Sequence, residues 1–176
     1  MLPKKRCRVP RALVTDKPRG YGAARRTSVR PGCRYALIQL SRIDPTSRGG
    51  PVGDWGTGNF ENDTAADHLS MLTDRLITEV ADAMAGDPVG IEPDEYWGVA
   101  VPANLELLSL LARQGYVGVS LPEVEVVEGW KRTYMAVWEG CMDELEASSD
   151  YKNERRAVLI RTFDALAELR KKEDSG

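Results

Sequence analysis

The chain has 176 residues, with 24 Lys and Arg against 27 Asp and Glu, for a net charge of −3. This small value combines two segments of opposite sign, because residues 1–51 contain 13 basic and 2 acidic residues whereas residues 52–176 contain 11 basic and 25 acidic residues. No apolar run approaches the roughly 20 residues of a membrane-spanning helix, so no membrane segment is expected. The three cysteines are far apart, which argues against a disulfide framework and favours a reducing cytoplasm.

Residues 1–51 are predicted to be a basic, mostly irregular and disordered arm. Six of the ten prolines of the chain lie in this segment, and proline interrupts helices by removing a backbone donor and restricting the preceding residue. The Lys and Arg side chains would neutralise phosphates, so any contact with nucleic acid is expected through this arm alone.

The arm carries one motif that is more specific than its composition. Residues 9–17 read VPRALVTDK and residues 21–26 read YGAARR. This stretch resembles the central part of DDE transposases of the insertion sequence 6 family, and the resemblance places Asp16 at the second catalytic carboxylate. Two-metal phosphoryl transfer needs several converging carboxylates, but the arm contains only Asp16 and Asp44. We therefore interpret this stretch as an inactive transposase fragment.

A glycine-rich stretch opens the acidic part of the chain. Residues 53–64 read GDWGTGNFENDT. Glycines permit tight turns, Trp55 and Phe60 can anchor a loop by burying apolar area, and the polar residues 62–64 can cap a following helix. The glycine spacing matches neither a dinucleotide-binding motif nor a P-loop. The stretch therefore predicts a structural loop that closes one end of a helical bundle.

Four helices are predicted after this loop, over residues 64–85, 94–114, 122–145 and 151–172. Their apolar residues recur at spacings of three and four, as in amphipathic helices. Pro102 is expected to kink or split the second helix, whose leucine-rich later half is apolar on nearly every side and is expected to be the most buried element. Pro122 is expected in the first turn of the third helix. Short connections favour antiparallel neighbours, so the fold class is an all-α, four-helix, up-and-down-like bundle.

The acidic part also resembles a bacterial and archaeal family, domain of unknown function 4259. Members begin Met-Gly-x-Trp-Gly-Thr-Gly-x-Phe-Asp/Glu-Asn-Asp, and residues 52–63 read VGDWGTGNFEND. The resemblance extends over residues 52–172 and implies no established activity. Val52 stands where the family has its initiator Met, as a GTG start codon would read when translated from upstream. We therefore expect residues 52–176 to be one domain and residues 1–51 to be upstream sequence from a mobile element. Further along the chain, the resemblance to this family also includes Leu121, Pro122, Trp130 and residues 163–166.

The sequence offers few residues for catalysis. His68 is the only histidine, and it could act as a general base or a metal ligand. Its place early in an amphipathic helix fits a partly exposed neighbour of the cap better, so we assign no catalytic residue, metal ligand or cofactor. The binding candidates lie in and just after the glycine-rich stretch, where the family resemblance is concentrated: Asp54, Trp55, Phe60, Glu61, Asp63 and His68.

These patterns indicate a non-catalytic, acidic, cytoplasmic domain that acts by protein contact. A surface of strong negative charge suits a basic protein partner, as in inhibitors of nucleic-acid-directed toxins, so an immunity- or antitoxin-like role is the leading hypothesis. The alternative is a DNA-associated remnant of a DDE transposase fused to this domain.

Overall fold

A computed structural model describes residues 53–175 of the chain. In this range the structure has four α-helices and no strand, which confirms the all-α, four-helix fold class. The predictions for residues 1–51, including the irregular arm and the transposase-like Asp16, lie outside the described residues. The helices are α1 (Asp63–Ala85), α2 (Tyr96–Gln114), α3 (Val124–Glu144) and α4 (Ser149–Asp174), and a short 3-10 helix (Pro88–Ile91) precedes α2.

Side-chain and glycine caps fix the ends of several helices. The Asn62 side chain caps α1 by accepting a hydrogen bond from the Ala65 N–H at 2.9 Å, as the polar run before this helix predicts. Ser148 caps α4 in the same way. Gly115 ends α2 in the left-handed conformation, with φ of +67°, where a residue without a Cβ carries no steric penalty.

The helices pack so that α4 contacts both α2 and α3, while α1 contacts α2 and, less extensively, α3. Helices α3 and α4 are antiparallel, because Lys131 early in α3 pairs with Asp164 late in α4 at 2.6 Å and Glu139 late in α3 pairs with Arg156 early in α4 at 2.8 Å. Helices α2 and α3 therefore lie at opposite corners of the bundle, although short connections predict that successive helices are neighbours.

The connection between α2 and α3, residues 115–123, is long enough to cross the end of the bundle. Pro122 is buried in this connection, and α3 begins only at Val124 with Glu123 as its N-cap. The expectation that Pro122 lies in the first turn of α3 is thus wrong. Glu123, which follows Pro122, has an extended backbone with φ of −61° and ψ of 148°. The first helical residue is therefore Val124.

The core lies between the four helices and is aromatic at its centre. Trp130, Tyr134 and Trp138 on α3 are all buried, as their helical spacing predicts. The Tyr134 and Phe163 rings are in contact, with centroids 5.6 Å apart. Fully buried aliphatic residues from every helix complete the core: Leu69, Val80, Val101, Leu105, Leu108, Val127, Leu159 and Leu166.

Pro102 does not split α2, which is continuous from Tyr96 to Gln114. A proline in a helix leaves the carbonyl four residues earlier without its N–H donor. Here that carbonyl belongs to Gly98, and the buried Tyr134 hydroxyl donates a hydrogen bond to it from α3. Of the two expected effects of Pro102, the split does not occur, and a residue from another helix supplies the donor that the Gly98 carbonyl lacks.

The later half of α2 is also less buried than predicted. Leu105 and Leu108 are fully buried, but Leu107 and Leu110 are each about half exposed. Helix α2 lies at a corner of the bundle, with α1 and α4 beside it, so one of its sides faces outward. The apolar residues of α2 thus form two faces, of which only one belongs to the core.

A buried threonine ties the α2–α3 connection to α1. The Thr73 hydroxyl donates to the Leu69 carbonyl at 2.8 Å and accepts a hydrogen bond from the Ser120 N–H at 3.0 Å. The Thr73 hydroxyl thus serves both as a donor and as an acceptor. Thr73 therefore holds the connection against the first half of α1.

Replacing Thr73 by Val is expected to lower the free energy of unfolding by about 1–3 kcal/mol, because the partly buried Ser120 N–H loses its acceptor. Urea denaturation measures this loss. Thr78→Val is the matched control, since Thr78 also donates to the carbonyl four residues earlier, at 2.8 Å, but is exposed. Equal losses in the two variants would contradict a special role for Thr73.

Candidate functional site

The glycine-rich stretch forms a closed loop, here called the N-terminal loop (residues 53–62). The Trp55 N–H donates to the Glu61 carbonyl at 3.1 Å, and the Asp63 N–H donates to the Gly53 carbonyl at 2.9 Å. Asp54 and Asn62 form an isolated antiparallel bridge between these two bonds. The loop therefore returns on itself immediately before α1, and its two ends are held together by the backbone.

The Glu61 carboxylate lies inside this loop. One of its oxygens accepts a hydrogen bond from the Gly58 N–H at 2.7 Å. A Cβ added at Gly56 would lie 2.0 Å from the same oxygen, so a side chain at that position would displace the exposed Glu61 carboxylate from its bond to Gly58. The two glycines and Glu61 thus form one structural unit, and the binding candidate Glu61 already has a partner within the loop.

Aromatic rings connect the N-terminal loop to the rest of the bundle. The Phe60 ring packs against Tyr116 in the α2–α3 connection, with centroids 4.4 Å apart. Trp55 is partly buried, whereas Phe60 keeps an exposed edge. Contacts of this kind contribute beyond their buried area. Sequence reasoning selected Trp55 and Phe60 but missed Tyr116, because nothing in the sequence pairs residues that far apart.

The remaining predicted site residues, Asp54, Asp63 and His68, are exposed to solvent. The loop brings Asp54 and Asp63 to the same end of the molecule, and His68 follows one turn into α1. In residues 53–175 no group of three or more His, Cys, Asp and Glu side chains has a metal-binding arrangement. These residues thus form an exposed polar surface at the start of α1.

A second acidic region lies at the other end of α1. Residues 76–112, here called the acid-only segment, contain seven Asp and Glu and no Lys, Arg or His. The segment comprises the later half of α1, the 3-10 helix and most of α2. The sequence shows this segment as a long interval without a cation. Sequence reasoning missed it because the charges were summed over all of residues 52–176. The segment thus contributes only negative charge to the part of the surface that it forms.

Glu92 is the buried member of the acid-only segment. Glu92 is only 5% exposed, and its Oε1 atom has no hydrogen-bond partner among the described residues. Burial raises the pKa of the Glu92 carboxyl, and the nearby carboxylates of Asp94, Glu95, Glu144 and Asp87 raise it further. The ionised form of Glu92 is thus unfavourable in the folded chain.

Glu92→Gln is expected to stabilise the fold at about pH 8 and to change it little at about pH 4. The folded-state pKa lies above the unfolded value, so wild-type stability falls as pH rises from the unfolded pKa through the folded one, and a neutral amide avoids that loss. Thermal unfolding at the two pH values measures the difference. Glu106→Gln, which neutralises an exposed carboxylate of the same segment, is the control. A stabilisation of Glu92→Gln that is equal at both pH values would contradict this explanation.

Helices long and apolar enough to cross a membrane do not occur in residues 53–175. In comparisons with protein-family models, with curated proteins and with solved structures, nothing matched this chain.

Proposed function

We propose that residues 53–175 form a non-catalytic, cytoplasmic binding domain of bacterial origin, related to domain of unknown function 4259, that acts by contacting a basic protein. The observation that supports this most strongly is the acid-only segment. Its 37 consecutive residues contain no cation, and all of its carboxylates except that of the buried Glu92 can contribute to a negative surface. Such a surface attracts partners of the opposite sign and speeds their association.

The same charge disfavours nucleic acid as the ligand of this domain. Phosphates are bound by Lys and Arg, whose contacts release counterions, and the acid-only segment has neither. A basic protein that itself binds nucleic acid would fit the segment by presenting the same cations to it. An immunity- or antitoxin-like role, in which the domain covers the basic surface of such a protein, is the form of the proposal that we favour.

A charge-neutralisation experiment tests this function. The full chain is titrated with an oligolysine peptide of about 15 residues at two salt concentrations by calorimetry. The variant Asp82→Asn, Asp94→Asn, Glu106→Gln removes three exposed carboxylates of the acid-only segment. It is expected to weaken binding roughly tenfold and to reduce the salt dependence.

The matched control is Glu125→Gln, Glu128→Gln, Glu154→Gln, which removes three exposed carboxylates from α3 and α4. It has the same net charge as the test variant, so a purely global effect of charge would weaken binding equally in both. Equal weakening, or no binding of oligolysine by the wild-type chain, would argue against the proposed function.

The basic composition of residues 1–51 supports a second candidate function, contact with DNA by a transposase-like remnant. Thirteen cations in this segment would give binding that falls steeply with salt. A gel-shift titration of the full chain with duplex DNA tests it, using Arg25→Ser, Arg26→Ser as the variant within the transposase-like stretch. Loss of the shift in this variant favours the remnant, whereas an unchanged shift places the DNA contact elsewhere.

A further inference from the structure

Helix α2 carries an apolar stripe on its outward side. Tyr96 and Val99 are 72% and 60% exposed, and Leu107 and Leu110 are each 49% exposed. Together with the exposed Ala103, these residues follow one another at intervals of three or four, which places them on one face of a helix. This face, the outer stripe, runs for about 21 Å along the surface.

The neighbouring helix also exposes an apolar residue. The Asn104 side chain of α2 donates to the Glu79 carboxylate of α1 at 3.2 Å, so the two helices are joined beside the stripe. Leu72, two turns before Glu79 on α1, is 39% exposed. The outer stripe itself is an exposed apolar face of α2, with α1 packed next to it.

Carboxylates accompany the stripe in the sequence. Glu106 lies within α2, Glu95 is the N-cap of α2, and Glu79 and Asp82 lie on α1, which packs beside it. Of the two cations nearest to the stripe in the sequence, Arg75 is paired with Glu79 at 3.2 Å and Arg113 lies beyond the last residue of the stripe. The outer stripe therefore lies within the acid-only segment.

We propose that the outer stripe binds an amphipathic helix of the partner, with apolar residues on the inner side of that helix and Lys or Arg along its edges. This inference rests on the proposed function and specifies its partner. An amphipathic helix packed against an exposed apolar face is a common way to bury such a face, and its basic edges would meet the carboxylates of the acid-only segment. A second copy of this chain is a poorer occupant, because pairing two outer stripes would bring two acid-only segments together.

The test uses two synthetic peptides of identical Leu and Lys composition, each about 18 residues long, so that a helix would span the stripe. In one peptide the leucines lie on one helical face, and in the other they are shuffled around the helix. Calorimetry with the full chain is expected to give roughly tenfold tighter binding of the amphipathic peptide. The variant Leu107→Gln, Leu110→Gln is expected to remove this difference.

Met71→Gln, Leu145→Gln is the matched control, because it removes two exposed apolar side chains outside the stripe. Thermal unfolding confirms that both variants fold, and sedimentation gives the mass of the free chain. The control is expected to keep the preference for the amphipathic peptide. A preference lost equally in both variants would overturn the assignment to the stripe.

Three other results would overturn the proposal, and they can be told apart from failure of the proposed function. Equal binding of both peptides would support a basic partner but would show that the outer stripe does not bind it. Binding of neither peptide would refute the basic partner as well. Tight binding of a Leu and Glu peptide of the same pattern, or a wild-type dimer that Leu107→Gln, Leu110→Gln dissociates, would assign the stripe to a different occupant.

Discussion

Replacing Tyr134 by Phe is expected to destabilise the bundle by about 1–3 kcal/mol, because the Gly98 carbonyl then has no donor in the core. In an ordinary helix the N–H of residue 102 would remain available, but Pro102 has none. The Phe ring keeps the volume of the site and the contact with Phe163, so the loss reports the hydrogen bond. Urea denaturation at neutral pH measures it.

The same hydroxyl predicts a loss of stability at high pH. Burial raises the pKa of Tyr134 to about 12 from the ordinary value of 10. A group with a raised folded-state pKa contributes its stability fully below the unfolded pKa and loses it as pH rises through the folded one. The wild type should therefore lose up to roughly 3 kcal/mol between pH 10 and pH 12 that Tyr134→Phe does not lose.

Tyr96→Phe is the control for this pair of measurements, since Tyr96 is an exposed tyrosine on the outer stripe. It should behave like the wild type at neutral pH and at high pH. If Tyr134→Phe is as stable as the wild type at neutral pH, or shows the same alkaline loss, then the Tyr134 hydroxyl does not replace the missing donor of Pro102.

Gly118→Ala is expected to cost at least about 3 kcal/mol. Gly118 has φ of +91°, and a Cβ there would lie 2.0 Å from the Ala66 carbonyl oxygen of α1. Both the conformation and the close approach exclude a side chain. The α2–α3 connection would have to move away from α1, which would also break the bond between Thr73 and Ser120.

Gly140→Ala is the matched control for Gly118→Ala. Gly140 lies within α3, and a Cβ at that position would meet nothing within 4 Å. Alanine there should stabilise the protein by roughly 0.5–1 kcal/mol, because glycine is the poorer helix former. Thermal unfolding of the two variants should thus move in opposite directions. A Gly118→Ala variant as stable as the wild type would mean that the connection does not lie as close to α1 as the structure has it.

The four helices were predictable because their signals are local. Asn62 before α1 and Gly115 after α2 act within one turn of the helix that they end, and apolar spacing repeats along each helix. The surroundings of Pro102 were not predictable in this way. The donor for the Gly98 carbonyl comes from Tyr134, far away in sequence, and no local pattern contains it.

The candidate site divides in the same way. The glycine-rich motif predicts a tight loop at the start of α1, but only the folded loop shows that Glu61 binds back to Gly58. Helix α2 gives the clearer lesson, since residues apolar on all sides predict a fully buried helix. The exposed Leu107 and Leu110 show that such a pattern also arises when a helix has one face for the core and another for solvent.

A map of backbone amide chemical shifts tests the central claim most directly. The full chain is labelled and titrated with the amphipathic Leu and Lys peptide, and each amide reports binding at its own place in the structure. Binding by the outer stripe predicts that the largest shifts fall on residues 96–110, with smaller ones on the adjoining part of α1. Largest shifts on α3, α4 or the N-terminal loop, or none within residues 53–175, would contradict the proposal that this acidic domain binds a basic helix on α2.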